Sequence, residues 1–140
     1  MLQVTTINSA FVGGGSSSVG TAVTIYALPP AHMPRARLIK ANAVIQGTVA
    51  SAASDNITVQ ALNASSAYST TVATGAVTNT ATTQNIAFTV TKASAGASLS
   101  IFTQARPAKI TLPAVGNVTP PVQIELTWDG TAPMDLSGGV

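Results

Sequence analysis

Val122-Gln123-Ile124-Glu125-Leu126-Thr127-Trp128 is the stretch that decides the fold. Apolar and polar residues alternate through all seven positions. In an extended chain Val122, Ile124, Leu126 and Trp128 therefore point one way, and Gln123, Glu125 and Thr127 the other. A helix, turning about 100° per residue, would scatter the four apolar side chains around its circumference. One apolar and one polar face describe a strand of an antiparallel sheet packed on a single side.

Working outward, the same period of two recurs. Ile86-Ala87-Phe88-Thr89-Val90-Thr91 sets Ile86, Phe88 and Val90 against Ala87, Thr89 and Thr91. Ile57 to Ala61, Ala97 to Ile101 and Lys109 to Leu112 repeat the pattern, and Tyr68 to Thr74 is rich in β-branched residues. Val23 to Leu28 is a short strand stopped by Pro29-Pro30. Arg37 to Ala50 is a long, mostly apolar run in which Gly47 signals a bulge or a close backbone approach. Turn-forming clusters separate these runs, among them Ser54-Asp55-Asn56, Gly116-Asn117 and Asp129-Gly130. About eight short strands and no helical period predict an all-β fold, an antiparallel β-sandwich or jelly roll. Trp128 and Phe88, on the apolar faces of their strands, belong to its core. Alternation alone does not fix the strand order.

Two segments stand outside that core. Residues 1–19 read as an extended N-terminal arm carrying Leu2, Val4, Ile7, Phe11 and Val12, followed by the linker Gly13-Gly14-Gly15-Ser16-Ser17-Ser18. Five sizeable apolar residues in a dozen suit an arm that adds a strand to, or lies across, a neighbouring subunit. Residues 20–130 form the β-domain and 131–140 a C-terminal tail.

The chemistry that is missing excludes whole classes of function. Ten of the 140 residues are charged, six Lys or Arg and four Asp or Glu; an ordinary soluble domain of this length carries roughly 35. Six cations are too few to track a phosphate backbone, so nucleic acid is not an expected partner. There is no cysteine, which removes disulfides, thiolate metal sites and cysteine nucleophiles together. The single histidine, His32, lies in the proline-bounded loop Pro29 to Pro34, and no Gly-x-Ser-x-Gly elbow is present. Asp129 and Asp135 read as solvated turn residues, and Gly13-Gly14-Gly15 has no following Lys-Ser/Thr to make a phosphate loop. We expect no enzyme, no cofactor and no bound metal. The start Met1 to Thr6 lacks the basic and continuously apolar regions of a signal peptide, and no run approaches a membrane span. The expectation is a protein made in the cytoplasm, with no membrane partner.

Sparse charge points instead to assembly. A folded 14.0 kDa chain exposes roughly 6,700 Å², and so few charges suit a surface covered by neighbours better than one left to water. The one local charge cluster is Arg35, Arg37 and Lys40, which serves either as edge-strand protection or as a docking patch for an acidic partner surface. Arg106 and Lys109, around Pro107, fit either account.

In composition and layout the chain resembles the capsid decoration (cement) proteins and minor capsid proteins of tailed bacteriophages. These too are short, cysteine-free, rich in Ala, Thr, Ser, Val and Gly, almost wholly β, and extended at their termini. The resemblance implies a structural virion protein on the capsid surface of a phage assembled in its host's cytoplasm. Such a subunit binds the outside of the head and bridges neighbouring capsomers to stabilise the shell. Its partners are the major capsid protein and sister subunits, in a homo-oligomer with a trimer favoured. Leu2, Val4, Ile7, Phe11, Val12, Arg35, Arg37 and Lys40 are the candidate partner-binding residues. The alternative is a phage fibre, head-spike or adhesin module binding a host glycan, with Tyr26 and Tyr68 as the available aromatic platforms. A third reading is a jelly-roll protein that builds a shell itself.

Overall fold

Ten strands, all paired antiparallel, are seen among the described residues: β1 (Leu2–Ala10), β2 (Val23–Ala27), β3 (Ala36–Ile45), β4 (Asp55–Leu62), β5 (Tyr68–Val77), β6 (Gln84–Ala87), β7 (Thr89–Val90), β8 (Ile101–Phe102), β9 (Ala108–Leu112) and β10 (Pro121–Asp129). The computed structural model describes residues 2–10, 22–47, 49, 55–62, 65–78, 83–90, 101–114 and 121–130. There is no helix among them.

The first sheet runs β1-β10-β3-β6, with β8 also paired to β3; the second runs β2-β9-β4-β5-β7. Setting aside the two-residue strands β7 and β8, the eight main strands pair as β1 with β10, β2 with β9, β3 with β6 and β4 with β5. The pairing is nested: each ladder encloses the next. A hairpin with four nested ladders, wound into two sheets, is a jelly roll, which settles the order that alternation left open.

The inner faces carry the apolar set that the alternation predicted. Val122, Ile124, Leu126 and Trp128 of β10 are buried with Ile57 and Val59 of β4 and Ile110 and Leu112 of β9, within one continuous core. Trp128 meets Phe102 edge to face, with ring centroids 5.3 Å apart.

One side of the sandwich is closed by chain that changes sheet. The alternating run from Ile86 is split into β6 and β7, and Phe88, between them, fills the core while its N–H donates to the Ala41 carbonyl at 2.9 Å. The alternation survives, but the two halves belong to different sheets. Room for the Phe88 ring comes from Gly75, since a Cβ there would lie 2.5 Å from the ring. Gly47 has φ 136°, a conformation open to glycine and strained for other residues, where the chain leaves β3.

Sequence alone sets residues 2–10 apart from the domain. The structure seats them as β1, a nine-residue edge strand of the first sheet, in register with β10 from Leu2 opposite Asp129 to Ala10 opposite Pro121. The positions that alternate toward the core side, Gln3, Thr5, Ile7 and Ser9, are mostly polar and Gln3 is exposed, so the segment carries no apolar alternation to mark it as a core strand. The Gly/Ser linker, Phe11 and Val12, residues 97–100 of the strand expected from Ala97 to Ile101, and the C-terminal tail lie outside the described residues, while Ile101 opens β8.

Candidate functional site

The outer face of the first sheet brings together residues that are far apart in sequence. In a sheet, side chains in direct register across neighbouring strands share a face. Leu2 of β1, Asp129 of β10 and Arg37 of β3 form one such row, and Val4, Thr127 and Lys40 form the next. From β1 to β3 is two strand spacings, about 10 Å. Two groups of candidate residues, from the N-terminal segment and from the cation cluster, therefore meet on one surface. Leu2 and Val4 are 63% and 55% exposed.

A β-bulge widens this patch. The register of β3 against β10 skips Ile39, so Ile39 and Lys40 both face solvent although they are adjacent in sequence. Ile39 adds a third exposed apolar side chain. Arg35 lies just before β3 and is half-buried, as is Arg37. The Nε of Arg37 is covered and makes no hydrogen bond within the chain, which leaves Lys40 as the more exposed cation of the pair. Ile7 belongs elsewhere: it points inward and packs on the core, so it serves the chain's own fold.

Beyond Lys40 the same face turns polar. Thr6, Glu125, Asn42 and Ala87 form the next row, and Asn8, Gln123, Val44 and Asn85 the one after. A depression of about 340 Å³ opens there, lined by Asn42, Val44, Asn85, Ala87, Gln123 and Glu125. Carboxamides both donate and accept hydrogen bonds without the desolvation cost of an ion. The face thus carries exposed apolar side chains with Arg37, Lys40 and Asp129 at one end, and carboxamides around Glu125 at the other.

A part-buried hydrogen bond ties β1 to β10. The indole Nε1–H of Trp128, a fully buried side chain, donates to Thr5 Oγ1 at 2.9 Å. Sequence reading singles out neither partner for this role, because they lie 123 residues apart.

The second sheet presents a different outer surface. Thr24, Thr111, Thr58, Thr74 and Thr89 stand in register, one on each of β2, β9, β4, β5 and β7. Alongside this threonine row, Tyr26 and Tyr68 come together with ring centroids 5.7 Å apart and planes tilted 55°. Lys109 Nζ lies 5.8 Å from the Tyr68 ring centroid. The Tyr68 hydroxyl donates to the Pro107 carbonyl at 3.0 Å, and Arg106 Nη2 donates to the Leu62 carbonyl at 2.6 Å. Burial pushes the Tyr68 phenol above the usual tyrosine value, Tyr26 adds to the rise, and Arg106 pulls the other way. The two tyrosines, far apart in sequence, therefore form a single cluster, with Tyr26 59% exposed.

His32 is exposed in a turn closed by the Met33 N–H donating to the Pro30 carbonyl at 2.9 Å. Among the described residues no three His, Asp or Glu side chains gather to hold a metal ion. No helix there is long and apolar enough to cross a membrane.

No family model matches the chain, and no curated protein matches it. Among solved structures it is similar to a chain of the cyanophage Pam1 capsid asymmetric unit, at 17% identity and a TM-score of 0.48, covering 91% of this chain and 83% of that one. It is also similar to a chain of the infectious bursal disease virus Gx strain structure, at 12% identity and a TM-score of 0.36. There it covers 97% of this chain and 34% of the other.

Proposed function

We propose that the chain is a structural virion protein, a capsid decoration or cement subunit that binds the outside of a phage head and bridges neighbouring capsomers. The observation that carries this reading is the outer face of the first sheet. Leu2, Val4 and Ile39 are exposed there beside Arg37 and Lys40, in a chain with ten charged residues in all. Exposed apolar side chains among a few charges of both signs, Arg37 and Lys40 beside Asp129 with Glu125 further along, suit a broad contact with a partner surface of mixed polarity. Many such contacts repeated around a shell hold it together by multivalency, with no single tight site. The jelly-roll order occurs in viral capsid and lectin domains alike, so it accommodates this role without deciding it.

The test is co-sedimentation with mature shells of the virus that encodes the chain, comparing the wild type with Val4→Asn/Lys40→Glu. The wild type is expected to travel with the shells and raise their disruption temperature. The variant should stay in the supernatant, with its melting temperature unchanged. Equal binding by both removes this face from the role, and absence of binding by either removes the role.

The Tyr26–Tyr68 cluster favours a second reading, a head-spike or adhesin module that binds a host glycan. Stacking of sugar rings on Tyr26 would be lost in Tyr26→Ala while shell binding stayed intact. A glycan array on which wild type and variant behave alike excludes it.

A further inference from the structure

The geometry points to β1 as an exchangeable strand: in the assembled state, the β1 of one subunit occupies the β10 edge of a second copy of this chain. This deepens the assembly side of the role proposed above by naming the contact between sister subunits. It requires no capsid, so the two stand or fall separately.

Three observations carry it. First, among the described residues β1 is joined to the rest of the domain mainly through one neighbour, the nine-residue ladder with β10. What it gives the body is compact: Ile7 packs on the core and Thr5 Oγ1 accepts the Trp128 indole proton. Leu2, Val4, Thr6 and Asn8 face outward. A second copy's β1 re-forms every one of these contacts, because its sequence is the same. Exchange then changes only chain entropy and whatever new surface meets at the hinge.

Second, nothing on β1 resists pairing with another chain. Leu2 to Ala10 contains no charged residue and no proline, two of the devices by which edge strands discourage foreign partners. Removing β1 exposes the full β10 edge, where Glu125 is the only charged residue before the terminal Asp129.

Third, the connection has the length that exchange needs. Residues 11–21 join β1, in the first sheet, to the segment entering β2, in the second. Eleven residues reach at most roughly 40 Å, and six consecutive ones are Gly or Ser. Hairpin loops of 2–5 residues, by comparison, pin the two strands they join together.

The test exploits the absence of native cysteine. Thr6 and Glu125 are opposed on the exposed face. Thr6→Cys and isotope-labelled Glu125→Cys proteins are unfolded together, refolded as a 1:1 mixture and treated with a short bis-maleimide. If β1 exchanges at random, about one contact in four seats a β1 from the Thr6→Cys protein on a β10 edge from the Glu125→Cys protein. A cross-linked heterodimer in roughly that yield is the expected mass. Asn8→Cys with Gln123→Cys, one row along, should give the same product. Thr6→Cys with Thr24→Cys, on the other sheet, should give background only. If the first two pairs form no heterodimer above that background, while the double variant Thr6→Cys/Glu125→Cys closes within a single chain, exchange is refuted. Loss of shell binding with heterodimer yield unchanged would overturn the capsid role and leave exchange standing.

Discussion

Replacing Thr5 by valine should destabilise the protein only while Trp128 is present. Valine keeps the β-branched shape that suits a strand and removes the hydroxyl oxygen that accepts the Trp128 indole proton at 2.9 Å. The indole is fully buried, so its N–H cannot turn to water instead. A buried donor left without an acceptor costs about 1–3 kcal/mol. The added methyl recovers part of that, about 0.4 kcal/mol for a half-buried carbon. The net loss is therefore about 0.6–2.6 kcal/mol. A 140-residue domain with an unfolding entropy of about 2.1 cal/mol/K per residue loses about 3.4 °C per kcal/mol. The expected fall in Tm is about 2–9 °C. The assay is thermal unfolding followed by circular dichroism and, where the residue is present, by fluorescence of the single tryptophan, all variants being held at one protein concentration. In a Trp128→Phe background there is no indole to orphan, and Thr5→Val should cost almost nothing. Equal costs in both backgrounds, with a coupling below about 0.5 kcal/mol, would refute the account of what holds β1 down.

Three further outcomes follow from the packing and the charge. Gly75→Ala places a methyl 2.5 Å from the Phe88 ring and 2.8 Å from Ile86, and should cost about 1–3 kcal/mol in denaturant unfolding; adding Phe88→Leu should recover part of it. Gly130→Ala places a methyl 2.7 Å from Met33 Cγ and 2.9 Å from its sulfur, near the root of a buried side chain, and should cost about 1–3 kcal/mol. Tyr68 has a raised phenol pKa, so the stability it contributes is fully present below about pH 10 and is lost as pH rises through its folded value. Melting curves from about pH 8 to 11 should therefore show the wild type losing ground to Tyr68→Phe only in the alkaline range, and parallel curves would contradict the burial that raises the phenol.

Strands were legible because burial on one side writes itself into the sequence as a period of two. Val122 to Trp128 and Ile57 to Ala61 show it plainly, and all four apolar positions of the first are buried. Sheet membership was not legible, since the alternation from Ile86 to Val90 runs unbroken through a change of sheet at Phe88. Nor was β1, whose inward face holds a single large apolar residue, Ile7, and whose partner strand lies at the far end of the chain. Met33 was not legible either. It lies in a proline-bounded loop with no alternation to assign it to the core, yet it is 2% exposed beside Gly130. Along the chain the candidate patch is two unrelated pieces, the N-terminal apolar residues and the cations of β3, because what joins them is the register of β10 between the two. The threonine row has the same origin. Each threonine is an ordinary outward residue on its own strand, and only the pairing of five strands lines them up.

The nesting of the jelly roll also imposes a timetable on synthesis. The innermost ladder, β4 with β5, is made from neighbouring sequence and can close as soon as both strands have left the ribosome. Each outer ladder must wait for a later strand, and β1, translated first, waits for β10. At about 5–20 residues per second, the roughly 110 residues between them take about 6–22 s to make. For that interval every nascent chain trails an uncharged, unpaired strand. On a message carrying several ribosomes, the first finished β10 edge that strand meets can belong to the chain ahead. If β1 is exchanged between copies as proposed, polysome spacing, and not only subunit concentration after release, sets which copies pair.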